Sequence, residues 1–195
     1  MRRKASNVVR VVGGAWRSRR VSFPDLPDLR PTADRVRETL FNWLGQDLAG
    51  KRCLDLFAGS GALGFEALSR GATEVVMVES SRAAHRALQE NAARLGAGAR
   101  LRLVLGDALH FLAARGSGRF DVVFVDPPYG SGLVDAVLAH LPAVLAPGGC
   151  AYVESGSPVA PAPPWRVRRA ARAGAVHYHL IEWGGHDDGS LSGHL

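Results

Sequence analysis

Apolar residues change their spacing repeatedly along the chain from residue 51 onward, and this change predicts alternating strands and helices. Short runs that consist mainly of apolar and β-branched residues predict buried strands at 53–57, 74–78, 101–105, 121–125 and 150–153. Apolar positions at helical spacing predict helices at 65–69, 82–95, 109–114 and 133–141. Strands that alternate with helices are typical of an α/β fold, in which a parallel sheet is covered by helices on both faces.

Two more strands are predicted near the end of the chain, at 166–170 and 176–182, with Gly174 between them. The connection is too short for a helix, so the two strands form an antiparallel hairpin at one edge of the sheet. Residues 185–195 are polar and rich in glycine, which predicts a disordered tail.

The first 44 residues show a different pattern. A β-branched run at 7–12, the glycine pair at 13–14 and rough alternation at 16–23 predict a β-hairpin. Three prolines in 24–31 exclude a continuous helix there.

A helix is predicted after the proline-rich linker. Thr32 is a plausible N-cap, and Val36, Leu40, Trp43 and Leu44 form one apolar face. The arginines at 35 and 37 are expected to lie off that face.

Composition narrows the class of protein. The chain has 195 residues with 47% hydrophobic residues, which suits one packed domain and excludes a wholly disordered chain. Two cysteines, Cys53 and Cys150, are too few for a disulfide scaffold or a Cys-rich zinc site, so we expect buried thiols and no metal. There is no apolar run of about 18 residues and no signal-peptide pattern. We therefore expect a cytoplasmic protein without a membrane partner, and nothing requires more than a monomer.

Positive charge is concentrated at the N-terminus. Residues 1–37 contain ten Lys or Arg and three Asp, while the whole chain has a net charge of +6. Arginine binds phosphate in a bidentate manner, and Trp16 and Phe23 lie among these arginines. The segment is interpreted as a nucleic-acid-binding arm, with a solubilising basic tail as the alternative.

A glycine-rich loop provides the first sign of a cofactor. Residues 59–64 read G-x-G-x-x-G between a predicted strand and a predicted helix, and Glu79 ends the next strand 20 residues after Gly59. A carboxylate there can accept hydrogen bonds from both ribose hydroxyls. These features fit NAD and S-adenosylmethionine equally well, and a merely structural tight turn is the remaining alternative.

Two carboxylates favour S-adenosylmethionine. Asp55 lies inside the strand before the loop, where it suits the amino group of a methionine moiety but has no use beside a pyrophosphate. Asp107 follows the third strand of the alternating region and can accept from an adenine amino group. Both lie where strands end, which is where open α/β sheets bind ligands.

The sequence Asp126-Pro127-Pro128-Tyr129 follows the fourth strand of that region. Consecutive prolines form a rigid turn without backbone donors. The carboxylate of Asp126 and the carbonyl of Pro127 can hold the two protons of an exocyclic amine, and Tyr129 can stack on the base that carries it. This arrangement predicts methyl transfer to an amine, which requires positioning more than acid–base catalysis.

Two levels of resemblance follow from these motifs. DLFAGSGALG at 55–64, Asp107 and DPPY at 126–129 resemble class I S-adenosylmethionine-dependent methyltransferases that act on exocyclic amines. RVVGGAWR at 10–17 and RPTADRVRETLFNWL at 30–44 resemble the bacterial RsmD family, which methylates N2 of one guanine in 16S ribosomal RNA. The resemblance covers residues 8–183. Because tyrosine at 129 also occurs in adenine methyltransferases, the identity of the base rests on the 30–44 segment.

The resemblance implies a seven-stranded Rossmann-like core with an N-terminal RNA-binding hairpin, acting during assembly of the 30S subunit. It implies an RNA-binding arm at 1–29, a methyltransferase domain at 30–184 and a tail at 185–195. Residues implied to act on the base are Asp126, Pro127, Pro128 and Tyr129. Residues implied to bind or border the cofactor are Asp55, Phe57, Gly59, Gly61, Glu79, Ser80, Asp107, Ala108, Arg30 and Thr32. Residues implied to bind RNA are Arg10, Trp16, Arg17, Arg19, Arg20, Arg35 and Arg37.

Three other functions are compatible with parts of this sequence. A DNA methyltransferase acting on adenine N6 or cytosine N4 would use the same amine chemistry. A non-enzymatic ribosome-assembly factor with this fold would have a damaged cofactor loop, and the loop here is intact. A NAD-linked oxidoreductase would need a hydride-transfer acid after a strand, and none is convincingly placed.

Overall fold

The N-terminal segment forms a two-stranded antiparallel ribbon. The computed structural model describes residues 6–27, 29, 31–114, 119–128 and 130–184. Strands β1 (Ser6–Arg10) and β2 (Arg20–Pro24) pair in the register Ser6↔Pro24 to Arg10↔Arg20. The predicted hairpin is confirmed, but β2 begins later than expected because a 3₁₀ turn at Gly14–Trp16 interrupts the connection.

Helix α1 (Asp34–Leu44) follows the ribbon and buries Val36, Leu40 and Phe41. Its N-cap is Ala33, without a side-chain hydrogen bond, so the prediction of Thr32 as N-cap is wrong. The Thr32 hydroxyl instead points toward Asp126, 94 residues further along the chain. A residue that could cap its own helix is therefore used for a long-range contact.

Seven strands form the main sheet, in the order β5-β4-β3-β6-β7-β9-β8. Their bounds are β3 Arg52–Asp55, β4 Glu74–Glu79, β5 Leu101–Leu105, β6 Phe120–Val125, β7 Leu145–Ser155, β8 Trp165–Ala173 and β9 Val176–Trp183. Strands β3 to β7 are parallel to one another, whereas β9 pairs antiparallel with both β7 and β8. The α/β, Rossmann-like fold and its closing antiparallel pair are confirmed.

Helices cover both faces of the sheet. The remaining helices are α2 Ala62–Ser69, α3 Arg82–Leu95, α4 Ala108–Ala113 and α5 Leu133–His140. One buried cluster joins the ribbon, α1, α2 and α3 to one face of the sheet, and a second joins α4 and α5 to the other. Inner strands such as β4 are apolar toward both clusters, which explains their continuous apolar runs.

Some boundaries could not be predicted from local pattern. Strand β7 begins at Leu145 rather than near residue 150, because Leu145 pairs with Phe120 before a register shift in β6. Both cysteines are buried, as expected. Among the described residues the longest helix, α3, has 14 residues and is too short and too polar to cross a bilayer.

Candidate functional site

Four carboxylates meet at one edge of the sheet because parallel strands end on the same side. Asp55 ends β3, Glu79 ends β4, and Asp107 and Asp126 follow β5 and β6. Strands β3 and β6 are neighbours in the sheet. The chain forms β4 and β5 on one side of β3 and then crosses back to form β6 on the other side. Ligands of open α/β sheets bind at such a switch point.

The glycine loop lies between β3 and α2. Gly59 and Gly61 have φ angles of +51° and +80°, in the left-handed region that glycine adopts without strain. A Cβ at Gly61 would lie 2.5 Å from the ring of Phe65 and 2.6 Å from Leu88. The loop therefore depends on glycine for its backbone conformation and for its close approach to α2 and α3.

The Glu79 carboxylate stabilises this loop through hydrogen bonds with backbone amides. One carboxylate oxygen accepts from the Gly59 amide at 2.8 Å, and the other accepts from the Ser81 amide at 2.6 Å. Ser80, between them, is exposed. Since each carboxylate oxygen has two acceptor sites, Glu79 can brace the loop and still accept from a ligand hydroxyl.

Asp55 is almost fully buried under the same loop. Its carboxylate accepts from the Gly64 amide at 3.1 Å. Burial raises the pKa of Asp55 to about 7, although hydrogen bonds from the Gly64 and Phe57 amides oppose the rise. Phe57 is half-buried and packs on the α4–α5 side of the sheet.

Asp107 lies further along the edge. It is exposed and caps α4 by accepting from the His110 amide at 2.9 Å. Ala108, the first residue of α4, is buried.

Asp126 lies across the switch point from the glycine loop. The Thr32 hydroxyl donates to its carboxylate at 3.4 Å. Burial, and then the negative charges of Glu154 and Asp55, raise the pKa of Asp126 well above its usual range. Pro127 is buried and Pro128 is exposed. Arg30 and Tyr129, both predicted at this site, lie outside the described residues.

Glu154, which the sequence interpretation missed, lies beside Asp126. It is 5% exposed near the end of β7, and the Tyr152 hydroxyl donates to it at 2.8 Å. A cavity of about 470 Å³ next to it is lined by Pro127, Pro128 and Ser155 among others. The only signal in the sequence was that Glu154 directly follows the predicted strand at 150–153. The sequence did not show which strand lies beside that one in the sheet, so Glu154 could not be placed next to Asp126.

Most arginines predicted to bind RNA are exposed. These are Arg10, Arg17, Arg19, Arg20 and Arg35. Arg10 pairs with Asp34 at 2.8 Å, and the guanidinium of Arg19 donates to the Arg94 carbonyl at 2.8 Å. Arg10 and Arg19 therefore already have protein partners.

Two residues of the predicted RNA surface are buried instead. Arg37 has a side-chain exposure of 1% and donates to the carboxylates of Glu66 and Asp34 and to the carbonyls of Thr32 and Arg10. Its predicted RNA contact, and its predicted place off the buried face of α1, are wrong. Trp16 is 8% exposed and belongs to the core, so it cannot stack on a base.

This chain matches a known protein family over most of its length. Residues 9–182 match the profile of the family described as "Conserved hypothetical protein 95". Ribosomal RNA small subunit methyltransferase D of Escherichia coli (strain K12) is 46% identical over 183 residues, which cover 91% of each chain. Its namesake in Haemophilus influenzae is 37% identical, over 91% of this chain and 95% of the relative.

A solved structure shows the same fold. It is that of a candidate methyltransferase from Escherichia coli, yhhF, with a TM-score of 0.82 and 43% identity. The match covers 91% of this chain and 99% of the other.

Proposed function

This chain belongs to the family described as conserved hypothetical protein 95, together with relatives named ribosomal RNA small subunit methyltransferase D, and from this we propose its reaction. The names of the relatives support methylation of ribosomal RNA. The finer proposal is transfer of a methyl group from S-adenosylmethionine to the exocyclic N2 amine of a guanine in 16S rRNA, during small-subunit assembly.

The residues present fit the cofactor. S-adenosylmethionine, when bound, supplies a methyl group activated by its sulfonium. Gly59 and Gly61 would allow close backbone approach, and Glu79 would accept from the ribose hydroxyls. Asp107 would accept from the adenine amine. Asp55 would hold the methionine amino group, directly or through water.

The observation that carries the proposal is the position of Asp126. Asp55 lies opposite Phe124 in the pairing of β3 with β6, so Asp126 follows two residues further along the neighbouring strand, at the same edge of the sheet. An amine held by Asp126 and the carbonyl of Pro127 would therefore face the ligand of the glycine loop. Such positioning accounts for much of the rate of a displacement reaction.

Atoms balance in this reaction. The lone pair of N2 forms the new bond to the methyl carbon as the bond from carbon to sulfur breaks, and N2 releases one proton. The Asp126 carboxylate, which would already accept a hydrogen bond from this amine, would be in position to accept that proton.

The proposed division of labour assigns RNA binding to residues 1–29 and methyl transfer to residues 30–184. Exposed arginines of the ribbon support the first assignment, and the four carboxylates at the sheet edge support the second. Methylation of DNA at adenine or cytosine is the competing amine reaction.

A methyl-transfer assay tests the proposal. Labelled S-adenosylmethionine would be offered with unmethylated 30S particles, free 16S rRNA or duplex DNA, and the labelled nucleoside identified. We expect N2-methylguanosine from ribosomal material. Label in DNA or in N6-methyladenosine would contradict the guanine assignment.

Asp126→Asn tests the role of the amine-holding carboxylate in the same assay. The amide group has the same shape but adds donors that face the amine and removes the proton acceptor. We expect kcat to fall by about 100-fold or more while cofactor affinity, measured by calorimetry, stays near wild type. A collapse of cofactor affinity would show that Asp126 acts on the cofactor instead.

A further inference from the structure

Glu154 is a buried acid that the proposed reaction does not use. In the pairing of β6 with β7, Val125 lies opposite Val153, so Asp126 and Glu154 occupy equivalent positions on neighbouring parallel strands. Neighbouring strands lie about 4.8 Å apart, and equivalent positions point to the same face. The two carboxylates therefore lie side by side at the edge of the site.

The Tyr152 hydroxyl holds the Glu154 carboxylate in place. Tyr152, two residues earlier on the same face of β7, donates to one oxygen at 2.8 Å. Burial raises the pKa of Glu154, but the hydrogen bond from Tyr152 opposes the rise by favouring the ionised form. Thr32 lies near both acids, and its hydroxyl donates its one proton to Asp126 at 3.4 Å.

We propose that Glu154 determines specificity by accepting a hydrogen bond from N1–H of guanine while Asp126 and Pro127 hold the N2 amine. This inference rests on the proposed function and deepens it. The Watson–Crick edge of guanine presents two adjacent donors, N1–H and N2–H. Adenine N1 and cytosine N3 are acceptors, which a carboxylate repels. A pair of adjacent carboxylates therefore matches guanine and opposes the other two amine-bearing bases.

The cavity beside Glu154 provides room for the base or for its neighbour in the RNA. It has a volume of about 470 Å³, and Pro127, Pro128 and Glu154 are among the residues that line it. Such a volume lies within the range of pockets that bind small ligands. Glu154 therefore borders the same cavity as Pro127, whose carbonyl would hold the amine of the base.

Two substrates that differ at N1 test the proposal. Both are 30S particles, one with the normal target guanine and one with 2-aminopurine there, which keeps the N2 amine but has an acceptor at N1. For the wild-type protein we expect kcat/KM to be about 100-fold higher on guanine. Glu154→Gln, whose amide can donate to N1 of 2-aminopurine, should narrow this ratio by about 10-fold or more.

Controls separate a specific role from a structural one. Glu90→Gln makes the same chemical change at an exposed position of α3 and should leave the ratio unchanged. Tyr152→Phe keeps the ring in the core but removes the hydroxyl that orients Glu154, so we expect an intermediate ratio even if Glu154→Gln folds poorly.

The outcomes are distinguishable. An equal loss of kcat/KM on both substrates in Glu154→Gln, or an unchanged ratio in Glu154→Gln and Tyr152→Phe, would overturn the role of Glu154 and leave the proposed function intact. Failure of the wild-type protein to methylate guanine in the normal particle would overturn both.

Discussion

Burial changes the pKa values of carboxyl groups at the sheet edge more than neighbouring charges do. Asp55, Asp126 and Glu154 all have raised pKa values, and burial is the largest cause for each. The half-buried Asp34 differs: desolvation would raise its pKa, but the hydrogen bonds and positive charges of Arg10 and Arg37 outweigh this effect and lower it. A buried acid costs stability when it ionises, so the edge of the sheet is a place where stability and function conflict.

The ionisation of Asp55 should make the free energy of unfolding depend on pH. Its pKa is about 7 in the folded protein against 3.8 as a free carboxyl, so the folded state binds the extra proton between these values. Stability therefore falls as pH rises from about 4 to 7, by at most about 4 kcal/mol from this group. Asp55→Asn keeps an acceptor for the Gly64 amide but cannot ionise, so its stability should fall less over that range.

Urea unfolding of both proteins at several pH values checks this prediction. Asp126 and Glu154 have pKa shifts of the same sign, so some decline remains in Asp55→Asn, and the difference between the two proteins is the relevant quantity. A difference that does not change between pH 4 and 7 would show that Asp55 has an ordinary pKa.

At the scale of elements, α2 connects the glycine loop to the N-terminal ribbon. The helix begins directly after Gly61, and its buried Glu66 accepts from the amides of Val12 and Gly13 at 2.8 and 2.7 Å. Arg37 and Arg70 donate to the same carboxylate at 3.1 and 2.9 Å. One side chain therefore fastens the turn of the ribbon and α1 to the helix that follows the glycine loop.

Loss of the Glu66 charge should be costly because it leaves the guanidinium of Arg37 buried without this partner. We expect Glu66→Gln to lower the free energy of unfolding by about 3 kcal/mol or more. Glu74→Gln, which removes a half-exposed ion pair with Arg52, is the matched control and should cost less than about 1 kcal/mol. Equal losses in the two variants, measured by urea unfolding, would show that the Glu66 cluster contributes no more than a surface pair.

At the scale of the whole molecule, the ribbon packs on the body while it exposes arginines. Ser22 donates its amide to Asn91 of α3 at 3.1 Å, and Trp16 joins the core. Arg17 and Arg20 remain exposed on the outer surface of this ribbon. The ribbon therefore presents its arginines on strands that are already folded. Binding of a partner does not have to pay the entropy cost of ordering the strands of the ribbon.

The double variant Arg17→Glu and Arg20→Glu tests this surface. If each arginine neutralises one phosphate, the slope of log affinity for 16S rRNA against log salt should become shallower by about 0.7 to 0.9 per contact. Arg102→Glu with Arg166→Glu makes the same change of net charge on the two edge strands, β5 and β8. Similar slopes for both double variants would show that the ribbon has no special role in RNA binding.

The chain by itself determined the order of elements and the positions of four acids. The spacing of hydrophobic residues identifies strands and helices locally. The carboxyl ends of parallel strands lie at the same edge of a sheet, so Asp55, Glu79, Asp107 and Asp126 could be placed at that edge without a structure. The glycine loop was equally predictable, because its left-handed backbone is a property of the residues themselves.

Tertiary structure decided which charged and aromatic residues are buried. Arg37 and Trp16 look like surface residues in their local pattern, but Glu66, 29 residues from Arg37, and Ser69, 53 residues from Trp16, hold them inside. Glu154 became a candidate only when β7 was found beside β6. Burial and strand pairing are long-range properties, because the atoms that exclude water or offer a partner come from distant parts of the chain.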